Sequence, residues 1–529
     1  MLKSAYATRG MVVAPHRLAA EAGLDVLRDG GNAIEAMVAA AATVAVVYPH
    51  MNSIGGDGFW LISKDGGPPV AIDACGAAAA AATPDFYRAH GHAAIPGRGP
   101  HAALTVAGAV SGWQAALGLS TLWGGTLPLG RLLADAIVYA REGCAVTEGQ
   151  VANTRGKLGE TRDVPGFAAK FLPGGAVPEV GDLFRQENLA ATFERLAAAG
   201  LDDFYRGEVA AAIAADLVAV GSPVSAADLA AHAAQVGDPL SLTMSAGTLY
   251  NMTPPTQGLV SLLILGIFDR LKSEAADGFD FVHRLVESTK QAFEVRDAHI
   301  TDPAFMSVDP MELLADARVD AMAGRVDRVR ASAWPRPSEG GDTVWMGAID
   351  GDGMAVSFIQ SVYWEFGSAV VLPQTGITWQ NRGASFSLDP AALNPLMPLR
   401  KPFHTLNPAM ARLADGRLMP YGTMGGEGQP QTQAAVFARH VLYGQSVQAA
   451  ITAPRWLLGR TWGSESTSLK IEANIGEEVI GSLRAAGHEI EVVEPFSDTM
   501  GHAGALVRRP DGIIEGGADP RSDGAACGF

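Results

Sequence analysis

Residues 331–349 read Ala331-Ser332-Ala333-Trp334-Pro335-Arg336-Pro337-Ser338-Glu339-Gly340-Gly341-Asp342-Thr343-Val344-Trp345-Met346-Gly347-Ala348-Ile349. The stretch from Ala331 to Gly341 has the proline and glycine content of an exposed, flexible linker. From Thr343 the pattern turns into that of a strand. A second strand-like run, Met354 to Ser361, follows the turn Asp350-Gly351-Asp352-Gly353, so the two runs predict a β-hairpin. A mobile linker that ends at a hydroxyl residue opening a strand is where a self-cleaving precursor places its cut. Breaking the Asp342–Thr343 bond would give Thr343 a free α-amine with an ordinary pKa of about 7.7–8.0. That amine could take the proton of the hydroxyl on the same residue near neutral pH, which activates an otherwise weak nucleophile. The cut itself would use the same hydroxyl: it attacks the Asp342 carbonyl, and the resulting ester is hydrolysed. A threonine that merely starts a strand is the commoner case, and linker and hairpin alone do not decide between the two.

Outward from this point the chain is rich in helical patterns. Val282 to His299 predicts a helix, with apolar Leu285, Val286, Phe293 and Val295 set among charges. Leu183 to Leu271 reads as largely helical, with Ala/Leu periodicity in 189–199 and 209–220. The first 150 or so residues alternate Ala-rich helices with short strands such as Phe59-Trp60-Leu61-Ile62. Ala36 to Val47 predicts a buried helix, too short for a bilayer, which takes about 20 residues. No repeat of solenoid length is visible.

The bulk numbers limit the function classes. With 48% hydrophobic and only 18% charged residues over 529 positions, the chain is globular rather than disordered. A net charge of −17 argues against a nucleic-acid partner. The amino terminus carries no signal-like apolar run, and Cys75, Cys144 and Cys527 form no disulfide framework. The expectation is a cytoplasmic protein with no membrane partner.

Several segments together resemble the γ-glutamyltranspeptidase family of N-terminal-nucleophile hydrolases. They are Asp29-Gly30-Gly31-Asn32-Ala33, Gly55-Gly56-Asp57-Gly58-Phe59, Thr253-Pro254-Pro255-Thr256-Gln257-Gly258, the run from Lys290 to Pro303, Asp342-Thr343, Gly422-Thr423-Met424-Gly425-Gly426-Glu427-Gly428 and Asp519-Pro520-Arg521-Ser522. The resemblance implies an α/β (α+β) fold, a four-layer αββα sandwich, processed into a large subunit 1–342 and a small subunit 343–529 that remain one intertwined domain. It implies Thr343 as nucleophile, Ser361 as a hydroxyl that positions it, and the backbone N–H groups of Gly425 and Gly426 as the oxyanion hole. It implies no cofactor. The oligomeric state stays open, with a dimer of heterodimers as one candidate.

The departures from the family pattern bear on the substrate. In that family an arginine and an aspartate hold the two charged groups of a glutamate head; the matching positions here are Cys75 and Ser385. An asparagine becomes Tyr363, a glutamine becomes Arg382 beside Asn381, and a pair of serines becomes His404-Thr405. The glutamate contacts are lost and one arginine is gained. Arg382 offers a planar fork suited to a carboxylate, and Tyr363, Trp364 and Trp379 are bulky for a glutamyl pocket. These departures suggest a short amide bearing its own carboxylate, and the resemblance, nearest to oxamate-hydrolysing members of the family, implies oxamate, with Arg382, Tyr363, His404, Thr405, Asn381 and Ser385 as candidate contacts. An ordinary salt-bridged role for Arg382 and a core role for His404 are the competing readings. A γ-glutamyl or cephalosporin-type acylase and a catalytically silent binding homologue remain as alternatives. The histidines show no paired ligand spacing, so no catalytic metal is expected. Cys75, in an apolar Ala-rich stretch, reads as packing rather than as a nucleophile.

Overall fold

The expected hairpin is there. In a computed structural model, which describes residues 2–334, 342–459 and 466–529, the strands Asp342–Asp350 and Ala355–Tyr363 pair antiparallel through a turn at Asp350 to Gly353. Met354 N–H and Ala33 N–H both donate to the Asp350 carboxylate, at 2.9 Å each, which fixes the turn.

This hairpin is the middle of a seven-stranded sheet with the order Ala525–Gly528, Gly10–Ala14, Asp342–Asp350, Ala355–Tyr363, Asp57–Ser63, Val70–Ala74 and Gln235–Gly237. A second seven-stranded sheet runs Ala5–Ala7, Ile514–Ala518, Ala503–Arg508, Leu418–Thr423, Ala409–Leu413, Gly247–Asn251 and Leu240–Met244. The two sheets face each other across an apolar layer that includes Met11, Phe59, Leu61, Trp345, Ile359, Met410 and Leu506. Helices cover both outer faces. Ala33–Val47, buried along its whole length and opened by a capping box at Asn32, packs on the first sheet. Gly258–Leu271, Phe279–His299 and Gly428–Phe437 share an apolar core with the second. The result is the four-layer αββα sandwich. Both sheets contain strands from before and from after residue 343, so the two parts of the chain share one core.

Two expectations need adjustment. The stretch 183–271 is largely helical, as expected, through Glu187–Ala199, Glu208–Val220 and Gly258–Leu271, but Leu240–Met244 and Gly247–Asn251 form a hairpin at the edge of the second sheet that was not expected. Leu240–Met244 alternates buried and more open positions, a strand period that the neighbouring helices obscured. The first residues of the expected linker are also not loose. Ala331 N–H donates to the Ala486 carbonyl at 2.8 Å, and the Trp334 indole N–H donates to the Thr467 carbonyl at 3.0 Å. The remainder, Pro335 to Gly341, lies outside the described residues. Among those described, no helix is long and apolar enough to cross a membrane.

Candidate active site

Thr343 is fully buried, second in the strand Asp342–Asp350. The ladder is irregular at this point: Asp342 faces Tyr363 and Val344 faces Gln360, so Ser361 and Val362 together oppose Thr343. Such a bulge breaks the pairing and re-aims a side chain. Tyr363, which closes the bulge, has φ +83°, an unusual conformation for a bulky residue and one that clusters at functional sites. The Ser361 hydroxyl accepts from the Tyr363 N–H at 2.8 Å and so helps hold that conformation. On its other side Ser361 pairs with Asp57. A Cβ at Gly56 would lie 2.0 Å from the Ser361 carbonyl oxygen, so only glycine permits this approach.

Gly425 and Gly426 form the turn between Leu418–Thr423 and the helix Gly428–Phe437, with φ +117° and +53°. Among the described residues neither N–H donates to a protein acceptor. The turn is held by its carbonyl side instead: Gln257 Nε2 donates to Gly426 O at 2.7 Å and to Thr405 O at 3.0 Å. The strand entering the turn lies against the one carrying Thr343, because a Cβ at Gly422 would meet the Trp345 ring at 2.2 Å.

Arg382 opens a short 3-10 turn and is buried to 1% exposure. Its guanidinium carbon sits 3.5 Å from the centre of the Tyr363 ring, a cation–π contact, and Nη1 donates to Thr405 Oγ1 at 3.1 Å. The neighbouring candidates support this turn. Asn381 Oδ1 accepts from Trp364 N–H at 3.1 Å, and Nδ2 donates to Gly97 O at 2.8 Å. Ser385 Oγ donates to the carbonyls of Arg382 (3.0 Å) and Phe403 (3.1 Å), which turns its hydroxyl to the backbone. Tyr363 and Ser385 also line a cavity of about 280 Å³, shared with Asn394, Arg296 and Glu427.

His404 stands beside Arg382 and is fully buried. Its Nε2 lies 3.0 Å from Asp57 Oδ2, and its Nδ1 has no partner among the described residues. Burial, then the positive charges of Arg382 and Lys401, hold the imidazole well below its ordinary pKa, so it is neutral. The other Asp57 oxygen accepts from Gly76 N–H (3.0 Å), Gly108 N–H (3.1 Å) and Gln380 Nε2 (3.1 Å). Burial outweighs these bonds and the nearby Arg382, and pushes Asp57 up to about 7. The Cys75 thiol is close to both residues; burial and then the Asp57 and Asp73 charges push its pKa up, which keeps it a protonated, unreactive group. The charge of Arg382 also reaches Cys75.

Thr343 and Ser361 thus meet at one bulge, and Arg382, Tyr363, His404 and Thr405 meet around one guanidinium. Sequence reasoning missed Asp57, Gln257 and the buried pair Arg296–Glu427, 2.9 Å apart, beside the cavity. A carboxylate inside the glycine-rich, apolar run 55–60 was the available signal for Asp57.

Two groups of potential metal ligands occur among the described residues, and neither fits a cation. In Asp57, Cys75 and His404, one carboxylate oxygen is filled by three N–H donors and Arg382 already supplies positive charge. In His283, Glu287 and His488, the Lys290 ammonium occupies Glu287 at 2.6 Å and the two rings bond each other at 2.8 Å.

The Gamma-glutamyltranspeptidase family profile matches residues 19–529. The chain belongs to this family. Over its full length it is 57% identical to the oxamate amidohydrolase proenzyme of Klebsiella pneumoniae, with all of both chains covered. It is 41% identical to a glutathione hydrolase-like proenzyme of Bacillus subtilis, again over both whole chains. Among solved structures, a cephalosporin acylase from Bacillus halodurans superposes with a TM-score of 0.92 at 33% identity, covering 100% of this chain and 97% of the other.

Proposed function

We propose that this member of the family is an amidohydrolase that releases ammonia from oxamate, leaving oxalate. The observation that carries the reading is end-to-end similarity to an oxamate amidohydrolase proenzyme, and the buried Arg382 supports it. In this reading the precursor cuts itself before Thr343 into a large subunit 1–342 and a small subunit 343–529, intertwined as one domain. The Thr343 hydroxyl attacks the amide carbonyl, with its own α-amine as base. The N–H groups of Gly425 and Gly426 receive the oxyanion; each such donor is commonly worth a few kcal/mol of transition-state stabilisation. The amine returns its proton to the departing nitrogen, ammonia leaves, and water resolves the acyl ester. Arg382, stacked on Tyr363 and tied to Thr405, holds the substrate carboxylate. Ser361 and Tyr363 fix the bulge from which Thr343 acts, and Asn381 and Ser385 fix the turn that carries Arg382. No cofactor takes part.

The alternative of a larger acyl donor draws on the cephalosporin acylase likeness. Against it stand the Tyr363 ring stacked on Arg382, and Cys75 and Ser385 at the family's glutamate-binding positions. Initial rates of ammonia release from oxamate, measured beside glutamate release from a γ-glutamyl anilide, separate the two. Oxamate should be preferred by at least about 10²-fold in kcat/KM, as expected where charges that hold the glutamate head are missing. Equal turnover of both would remove the reading.

A further inference from the structure

The carboxylate subsite has a feature that substrate binding by Arg382 alone does not use. Asp57 is a second buried charge behind it, joined to the site through His404. With Asp57 ionised, the hydrogen between the two residues belongs to His404 Nε2, and Nδ1 is then a bare lone pair. A carboxylate that bridges Arg382 and Nδ1 would meet a hydrogen-bond acceptor at Nδ1 and a negative charge one residue further in. Both contacts oppose it.

We infer that Asp57 is a positioning residue for the carboxylate subsite: when a monocarboxylate settles against Arg382, the Asp57–His404 pair takes up one proton from solvent. The proton adds at His404 Nδ1, and the Nε2 hydrogen passes to Asp57 Oδ2. Atoms and charge balance: Asp57 becomes a neutral carboxyl, His404 stays neutral, and Nδ1–H becomes a donor to the bound carboxylate. The negative charge brought by the ligand is thus offset by the proton gained at Asp57. The inference rests on the reading of Arg382 as the carboxylate holder.

The surroundings suit the transfer. His404 Nδ1 is a buried polar atom without a partner among the described residues, in a side chain 1% exposed. Nε2 and Oδ2 are 3.0 Å apart, within direct proton-transfer distance. Other ionisable groups facing the pair are settled. Lys401 is held by Asp73 at 2.6 Å, and burial keeps both Cys75 and Tyr205 protonated. Asp57 alone is set near neutrality, at about 7, with Arg382 among the influences that lower it. An anion on Arg382 weakens that influence, so binding raises the Asp57 pKa and, by linkage, loses affinity as pH rises above about 7. Below that pH Asp57 is already protonated in the empty site, and affinity is flat. The Thr343 α-amine of the cleaved enzyme titrates in the same range, so the test must separate a carboxyl from an amine.

The measurement is competitive inhibition of the processed wild-type enzyme by acetate between pH 6 and 9, with infrared difference spectra of acetate binding at pH 7.5. The inhibition constant should rise by about tenfold per pH unit above pH 7, and this slope should drop by one proton in Asp57→Asn. A protonated-carboxyl band should appear on binding and shift when aspartate is labelled with ¹³C; this readout needs no variant and settles the matter if Asp57→Asn does not fold. Acetate that competes with no such band, and with equal slopes in the two proteins, overturns the inference. Acetate that does not compete at any pH removes the Arg382 reading and the inference together. Ammonia release from oxamate, measured in the same samples, shows separately whether the proposed activity stands.

Discussion

Arg455, Arg521, Asp519 and Glu472 form one buried charge cluster; Arg382, Asp57 and His404 form another. In the first, Arg521 grips Glu472 through two bonds, at 2.8 and 2.5 Å, and reaches Asp519 at 3.1 Å, while Arg455 bonds the other Asp519 oxygen. Two cations meet two carboxylates. Burial pushes Asp519 up, but Arg455 and Arg521 outweigh it and hold the carboxyl below its ordinary pKa. In the second cluster burial wins, and Asp57 rises to about 7. Two buried aspartates therefore shift in opposite directions, and the difference is the number of cations each one faces. A balanced cluster ties the closing signature Asp519-Pro520-Arg521-Ser522 to the fold. A cluster with charge held near its switching point is equipped to respond to a ligand.

Removing one member of each cluster should separate these roles. Arg455→Met leaves Asp519 short of a partner and should lower unfolding stability by about 3–5 kcal/mol, read as the urea midpoint. Whatever enzyme survives should keep the wild-type KM. A stability loss under about 1 kcal/mol would mean that the balanced cluster is not structural. Arg382→Gln should do the reverse: self-cleavage proceeds, the urea midpoint moves little, and kcat/KM for oxamate falls by roughly 10²-fold, in line with truncating one side of a buried charge pair. Arg382→Lys should recover only part of this loss, since it keeps the charge without the fork. Near-wild-type kinetics in Arg382→Gln would place the carboxylate elsewhere. The smallest effect belongs to Cys75→Ala. A thiol kept protonated contributes neither charge nor nucleophile, so kcat/KM should stay within about threefold. A loss of activity beyond that would assign the thiol a role.

Local patterning made much of the fold legible; it failed at short strands set among helices and at contacts distant along the chain. The Thr343 hairpin, the helix ending at His299 and the buried helix before Val47 all follow from short-range period and turn chemistry. The edge hairpin Leu240–Asn251 was hidden because its two strands are five residues each, set among longer helices. In the site, the resemblance pointed to Arg382, but the partner of His404 lies 347 residues away along the chain. No motif spacing could join Asp57 to it. Ser385 shows the other limit: its position marks the pocket, while its hydroxyl is used by the backbone, which only coordinates reveal.

The most direct test of the account is the intact mass of the purified protein, taken together with that of Thr343→Ala. The wild type should separate under denaturing conditions into two chains, the smaller beginning at Thr343. Thr343→Ala should remain one chain and release no ammonia from oxamate. A wild type that stays whole yet hydrolyses oxamate, or a Thr343→Ala variant that is still cut at the same bond, would contradict the proposal that this threonine makes the cut and then carries the chemistry.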